Sequence, residues 1–305
     1  MNRVKRVIHA TPAEVFPYTG AGVTAAILDT GFALHPDLER ALVCFKDFCG
    51  AGQRPYDDCG HGTHVAGCLC GSGICSGGLY GGIAPHCRIV AGKVLDEKGD
   101  GAIEDMIAGI RYVLDSRRLY QTRILNISVG INQIEEKAMQ KELLGWLEEA
   151  WEAGIFVVVA AGNKGPQNGT LSLLGTGPHV VAVGCHDGRS FSDRCDLCEN
   201  YSGRGTAGAA IRKPDLVAPG TDIVSCNAGF RKKRMGGVSN PYTAKSGSSM
   251  AVPAVCGAAA LLWEKYPLLS NTQIRQRLLD CAQDLGEAPE KQGWGMLNVG
   301  AALSD

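Results

Sequence analysis

The sequence predicts an α/β fold with a mostly parallel central sheet flanked by helices. Three observations predict it. Short runs that are apolar on both faces, such as Val23–Leu28 and Gly154–Ala161, suit strands buried in a parallel sheet. Longer stretches with helical apolar spacing separate them. No internal repeat or interdomain linker interrupts the alternation, so the elements belong to one unit. The chain has 305 residues, 45% hydrophobic and 20% charged, which suits one large or two modest globular domains.

Residues 1–20 are expected to form an N-terminal extension, laid on the surface or frayed, with 21–305 as the main unit. Val23–Leu28 is the first strand and ends in Asp29-Thr30-Gly31. Ligands bind at the carboxyl ends of strands in such sheets. Gly60-His61-Gly62-Thr63-His64-Val65-Ala66-Gly67 opens on a glycine turn and runs into a helix of small residues. His61 stands at its start, and His64 lies one turn on, on the same face. The pattern is not HExxH, so His64 is expected in the interior as a structural residue. Arg88–Leu95 reads as a strand, 96–101 as a polar loop and Ile103–Arg117 as a helix. Arg123–Ser128 is a strand ending in Ser128-Val129-Gly130. Residues 133–153 form an amphipathic helix with Leu143, Leu144, Leu147 and Trp151 facing the core. Gly154–Ala161 is the clearest buried strand and ends in Gly162-Asn163. Val180–Val183 is a strand, 216–220 and 222–225 are short strand-like pieces, and 226–245 is a loop. Residues 247–266 and 271–282 are the last two main helices. The first opens on Ser246-Gly247-Ser248-Ser249-Met250-Ala251-Val252-Pro253. Serine there faces free backbone N–H groups and the positive end of the helix dipole, which suit a nucleophile and a developing oxyanion. Serine is also an ordinary N-cap.

The net charge of −1 provides no global attraction to nucleic acid or membrane. Arg231-Lys232-Lys233-Arg234 has no interleaved aromatics and reads as a solvated loop. No apolar run approaches the roughly 18 residues of a membrane span. The basic N-terminus is not followed by the apolar core of a secretory signal. The 13 cysteines, odd in number and scattered, point to reduced thiols and a cytoplasmic location. Cys195-x-x-Cys198, with Cys185 and His186 upstream, has metal-like spacing but shows only half of a zinc ribbon.

Asp29, His61 and Ser249 each follow or open an element at a glycine turn, and Asn163 ends the central strand. The motifs ILDTG, GHGTHVAG, SVG, VVVAAGN and GSSMAVP, in that order, resemble the motif set of subtilisin-like serine peptidases, the subtilase or S8 family. The resemblance runs over about residues 20–303 and includes Gly293-Trp294-Gly295-Met296-Leu297-Asn298. PYDDCGHGTHVAG, GGLYGGIAPHCRIVAGKVLDEKGDG and AAGNKGP are similar to the intracellular, AprX-type alkaline branch.

The resemblance implies a subtilisin-like three-layer fold and a serine endopeptidase. Ser249 would attack, His61 would act as base and then acid, and Asp29 would hold the imidazole tautomer. The Asn163 amide and the Ser249 N–H would bind the oxyanion. Matching GSSMA to the family's GTSMA puts Ser248 at the threonine. The substrate backbone would add as a strand between Gly99-Asp100-Gly101 and Ser128-Val129-Gly130. The S1 pocket would lie between Ser128–Gly130 and Ala160-Ala161-Gly162, with Ser172 near its base. Lys164 at the rim would tolerate acidic P1 side chains and disfavour basic ones. Asp57, Asp58, Asp96, Asp100 and Glu104 read equally as an acidic rim that favours basic P2 or P4 residues and as a solvated edge.

The implied partner is a polypeptide substrate, with no nucleic acid and no membrane, and the chemistry requires no cofactor. Asp37 matches a family calcium ligand. The loop Gly71–Gly78 lacks carboxylates and amides, however, and calcium wants six to eight oxygens, which argues against a structural calcium. Cys59 stands where the family often has Asn, beside His61. The signal and inhibitory prodomain of secreted members are not expected here. An α/β-hydrolase esterase would need GxSxG and the order Ser, Asp, His, and has neither. A subtilase-like pseudoprotease or regulatory binding module would be expected to lose one of the four catalytic groups, and all four are present.

Overall fold

A computed structural model describes residues 1–50, 52–131, 136–188, 197–232 and 237–305. Helices α1 (Asn2–Val7) and α2 (Pro12–Val15) come first, α2 opening on a capping box between Thr11 and Glu14. Met1, Val4, Ile8, Ala10 and Val15 are buried, so the first twenty residues lie against the main unit. Then follow β1 (Thr24–Asp29), β2 (Leu42–Asp47), α3 (His61–Cys70), β3 (Arg88–Lys93), α4 (Ile103–Tyr120) and β4 (Thr122–Ile127). Next come α5 (Lys137–Glu152), β5 (Phe156–Ala160), β6 (Val181–Cys185), β7 (Leu216–Ala218) and β8 (Ile223–Cys226). The chain closes with β9 (Arg231–Lys232), β10 (Val238–Ser239), β11 (Tyr242–Lys245), α6 (Ser248–Lys265), α7 (Asn271–Asp280), α8 (Pro289–Gln292) and α9 (Val299–Leu303).

Strands β1 to β7 form a seven-stranded sheet in the order β2-β3-β1-β4-β5-β6-β7, with every pairing parallel. Helices α4 and α5 pack together against β1, β4 and β5, while α3 and α6 pack together against β1 and β4–β7. The result is three layers. Strands β1, β5 and β6 are buried along their whole length, as their two-sided apolar runs require. Helix α6 is buried at every residue from Ser248 to Trp263.

Two sequence expectations need correction. The edge strand β2 was not expected. Only Asp47 of its six residues is fully buried, so it carries no two-sided apolar signal. The expected loop 226–245 instead holds β9 and β10, paired antiparallel, and β11, which pairs antiparallel with β8. These two- to four-residue strands are too short and too exposed to show a period. Of the basic run, Lys233 and Arg234 lie outside the described residues.

The strand order turns at β1. Its neighbours β3 and β4 lie on opposite sides, which opens a crevice at the carboxyl end of β1. Asp29 ends β1, the loop Gly99–Gly101 follows β3, Ser128–Gly130 follows β4 and Asn163 follows β5. Four segments far apart in sequence therefore meet at one edge of the sheet.

Candidate active site

Asp29 is fully buried. Its Oδ1 accepts hydrogen bonds from His61 Nδ1 at 2.7 Å and from the Thr30 N–H at 2.7 Å, while Oδ2 has no partner among the described residues. His61 is the first residue of α3, whose N-cap Gly60 sits at φ 81°. Gly62 lets the helix approach β1, because a Cβ there would lie 2.3 Å from the Gly31 carbonyl oxygen and 3.2 Å from Asp29 Cβ. Burial alone would lower the His61 pKa. The charge and the hydrogen bond of Asp29 outweigh it, and the net shift is upward from 6.5.

Two residues that the sequence reading did not place in the machinery hold this pair. Asp57 accepts from the Gly60 N–H, the Thr30 hydroxyl, the Thr63 N–H and the Thr63 hydroxyl, all within 2.8 Å. It caps the N-terminus of α3 and ties it to the residue after Asp29. Lys93 is buried, paired in register with Asp29, and donates to the Thr30 and Leu95 carbonyls and to Asp58 at 2.7–2.8 Å. Asp57 is thereby engaged in the scaffold, while Asp58 pairs with Lys93 and keeps 41% of its side chain exposed. Asp96 Oδ1 likewise accepts from the N–H groups of Lys98 and Asp100 within its own turn. A lysine inside an otherwise apolar strand was the signal available for Lys93. Asp57 offered none beyond its place three residues before a glycine turn.

The two adjacent serines are distinguished by their contacts. Ser248 is fully buried. Its hydroxyl lies 3.1 Å from both the Gly162 carbonyl and Asn163 Oδ1 and accepts from the Gly162 N–H at 3.2 Å. Its N–H donates to Asn163 Oδ1 at 3.0 Å. These bonds orient the Asn163 amide by its oxygen and leave Nδ2 without an acceptor among the described residues. Gly247, at φ 143°, precedes the serines, and a Cβ there would lie 3.2 Å from Ser249 Oγ and 3.3 Å from Asn163 Nδ2. The Ser249 hydroxyl and the amide donor therefore converge on one small space. Ser249 keeps 8% of its surface exposed and makes no side-chain hydrogen bond among the described residues, including with His61.

The segments expected to bind substrate are also brought together. Gly99, Asp100 and Gly101 face Val129 and Gly130 across a cavity of about 180 Å³ that Met106 and Ile131 also line. A Cβ on Gly130 would lie 3.4 Å from Gly162 Cα and 4.0 Å from Ser172 Oγ. Ser172 is buried. Its N–H bonds the Ala161 carbonyl at 2.7 Å, and its hydroxyl exchanges hydrogen bonds with Ile131 at 3.0 Å. Ser128 is buried and bonds Asn126 at 2.8 Å, and Ala160 closes β5. Lys164 is exposed beside Asn163.

His64 is interior, as expected. Its Nε2 meets the Ile223 and Thr243 carbonyls at 2.8 and 3.2 Å, and burial lowers its pKa to about 3. Cys195 of the CxxC pair lies outside the described residues. Its partner Cys198 and the upstream Cys185 place their sulfurs 3.3 and 2.5 Å from where a Cβ on Gly220 would sit. All twelve described cysteines are free thiols.

A carboxylate–imidazole pair, a serine at the mouth of a buried helix and a convergent amide donor, on a parallel three-layer sheet, define a serine-hydrolase type of site. Residues 20–295 match the subtilase family. The serine protease AprX of Bacillus subtilis is 36% identical over 92% of this chain, which spans 66% of that protein's length. Subtilisin DY of Bacillus licheniformis is 33% identical over 97% of the chain and 96% of its own length. Among solved structures, Sphericase superposes with a TM-score of 0.80 at 31% identity, covering 97% of both chains. The chain belongs to the subtilase family and is a serine endopeptidase.

Proposed function

We propose that the protein cleaves peptide bonds through an acyl-enzyme, with Ser249 as nucleophile, His61 as base and acid, Asp29 as orienter, and Asn163 Nδ2 with the Ser249 N–H as oxyanion donors. The observation that carries this reading is the convergence of Ser249 Oγ and the unpartnered Asn163 Nδ2 beside Gly247. The 2.7 Å Asp29–His61 bond supports it by fixing the imidazole tautomer. Substrate binding closes the remaining His61–Ser249 bond, as catalytic contacts tighten in the Michaelis complex.

The substrate chain adds as a strand between Gly99–Gly101 and Ser128–Gly130, and P1 enters between Gly130, Gly162 and Ser172. Exposed Lys164 at this rim favours neutral or acidic P1 side chains. A cleavage profile on a diverse peptide library, with Ser249→Ala as control, tests both proposals. Matched P1 Leu and Glu peptides are expected to be cleaved faster than P1 Arg. Preferred cleavage after Arg would overturn the role of Lys164. Cleavage that persists in Ser249→Ala would overturn the mechanism. The twelve free thiols favour work in a reducing compartment such as the cytoplasm. The reaction as written needs no metal or cofactor.

A further inference from the structure

His35, Asp37 and Cys226 are all buried, and a ligand atom from each lies within 4.8 Å of the others. They come from the loop after β1 and from the end of β8. The calcium that the family resemblance suggests at Asp37 does not fit this group. Its neighbours offer nitrogen and sulfur, and the adjacent loop Gly71–Gly78 has no carboxylate, whereas calcium takes six to eight oxygens.

We propose that these three residues form a structural site for a soft divalent cation of the zinc class. Imidazole, carboxylate and thiolate are the donors that such an ion takes in a tetrahedral site. Asp37 is a buried carboxylate with no ion pair among the described residues, because its neighbour His35 donates to Pro241 instead. Asp29, Asp187 and Asp215 each face a histidine, arginine or lysine, and Asp47 accepts four hydrogen bonds. Asp37 accepts from neutral groups, among them the Cys75 N–H and the Tyr242 hydroxyl. A divalent cation with one carboxylate and one thiolate is neutral as a unit, which removes that buried charge.

The surrounding contacts also suit a metal site. His35 donates Nε2–H to the Pro241 carbonyl at 2.8 Å, the outer bond typical of a metal-bound histidine, and this places its lone pair on Nδ1. Nδ1 now accepts the Asp37 N–H at 3.1 Å, and binding exchanges that hydrogen bond for the metal. Among the described residues Cys226 Sγ makes no hydrogen bond to another residue, and its proton leaves to solvent as the thiolate ligates. A cavity of about 420 Å³ borders the cluster at Asp37, and a water entering from it would supply the fourth ligand. The bound ion would clamp the loop behind Asp29 to the β8–β11 hairpin that leads into Ser249.

The test uses the full chain, stripped with a chelator under reducing conditions, then titrated with Zn²⁺, Co²⁺ or Ca²⁺. One equivalent of Zn²⁺ is expected to bind and to raise the melting temperature, while Ca²⁺ does neither. Co²⁺ is expected to give a thiolate-to-metal charge-transfer band. That band should vanish in Cys226→Ser and in His35→Gln and persist in Cys198→Ser, which removes the competing thiol pair. Far-UV circular dichroism checks that each variant folds. If Cys226→Ser does not fold, His35→Gln and the wild-type spectrum carry the decision. No band in the wild-type protein, a band that survives in folded His35→Gln, or Ca²⁺ that stabilises as well as Zn²⁺ would overturn the site.

Discussion

Ser248 and Ser249 are neighbours with different contacts, and the difference underlies the roles proposed for them. The Ser248 hydroxyl is spent on Gly162 and Asn163, whereas Ser249 is left accessible beside the amide donor. Ser248→Ala is expected to lower kcat about tenfold by freeing the Asn163 amide to rotate, the cost of about one lost hydrogen bond. Ser249→Ala removes turnover altogether. Asn163→Ala is expected to cost about 10²–10³ in kcat with little change in KM, a magnitude taken over from subtilisin itself. Steady-state kinetics on one peptide substrate checks all three.

The pH profile tests the Asp29–His61 pair. His61 must be neutral to take the serine proton, and its pKa lies above 6.5. Activity is therefore lost as pH falls through that raised value, and the acid limb of kcat/KM has its midpoint above 6.5. Asp29→Asn removes the two largest upward causes and leaves burial, which lowers the pKa, against only the smaller upward pull of Asp57. The limb then moves to lower pH while kcat drops by about 10⁴.

At the scale of elements, the site depends on how closely α3 approaches the end of β1. Gly62 allows that approach and Asp57 fastens it. Asp57→Ala removes the acceptor of four donors, three of them at the N-terminus of α3, and is expected to destabilise the fold by about 1–2 kcal/mol in urea denaturation and to lower kcat. This layer shows where sequence reading succeeds and where it stops. Asp29, His61, Asn163 and Ser249 were legible because each stands at a glycine turn that ends or opens a strongly apolar element. Asp57, Lys93 and the cluster of His35, Asp37 and Cys226 were not, because their roles arise from contacts between segments that no local period marks. Strands β2, β9, β10 and β11 were missed for a related reason. They are short or half-exposed, and only their partners make them strands.

For the whole molecule, the sheet order collects the site at the turn beside β1, and the first twenty residues brace it from outside. Ile8 is fully buried against this core, and Arg3 pairs at 3.0 Å with buried Asp187, which also accepts from the Gly220 and Thr221 N–H groups behind the nucleophile turn. Ile8→Ala is expected to cost about 2–5 kcal/mol of unfolding free energy if this segment belongs to the cooperative unit. A change within about 0.5 kcal/mol would make the segment a separate appendage.

The central claim is that one hydroxyl of two is activated, and covalent labelling reads this directly. Wild-type protein treated with a fluorophosphonate and digested for mass spectrometry is expected to carry a single adduct on Ser249, absent in His61→Ala and retained in Ser248→Ala. An adduct on Ser248, or peptide hydrolysis by protein that takes no label on Ser249, would contradict the account.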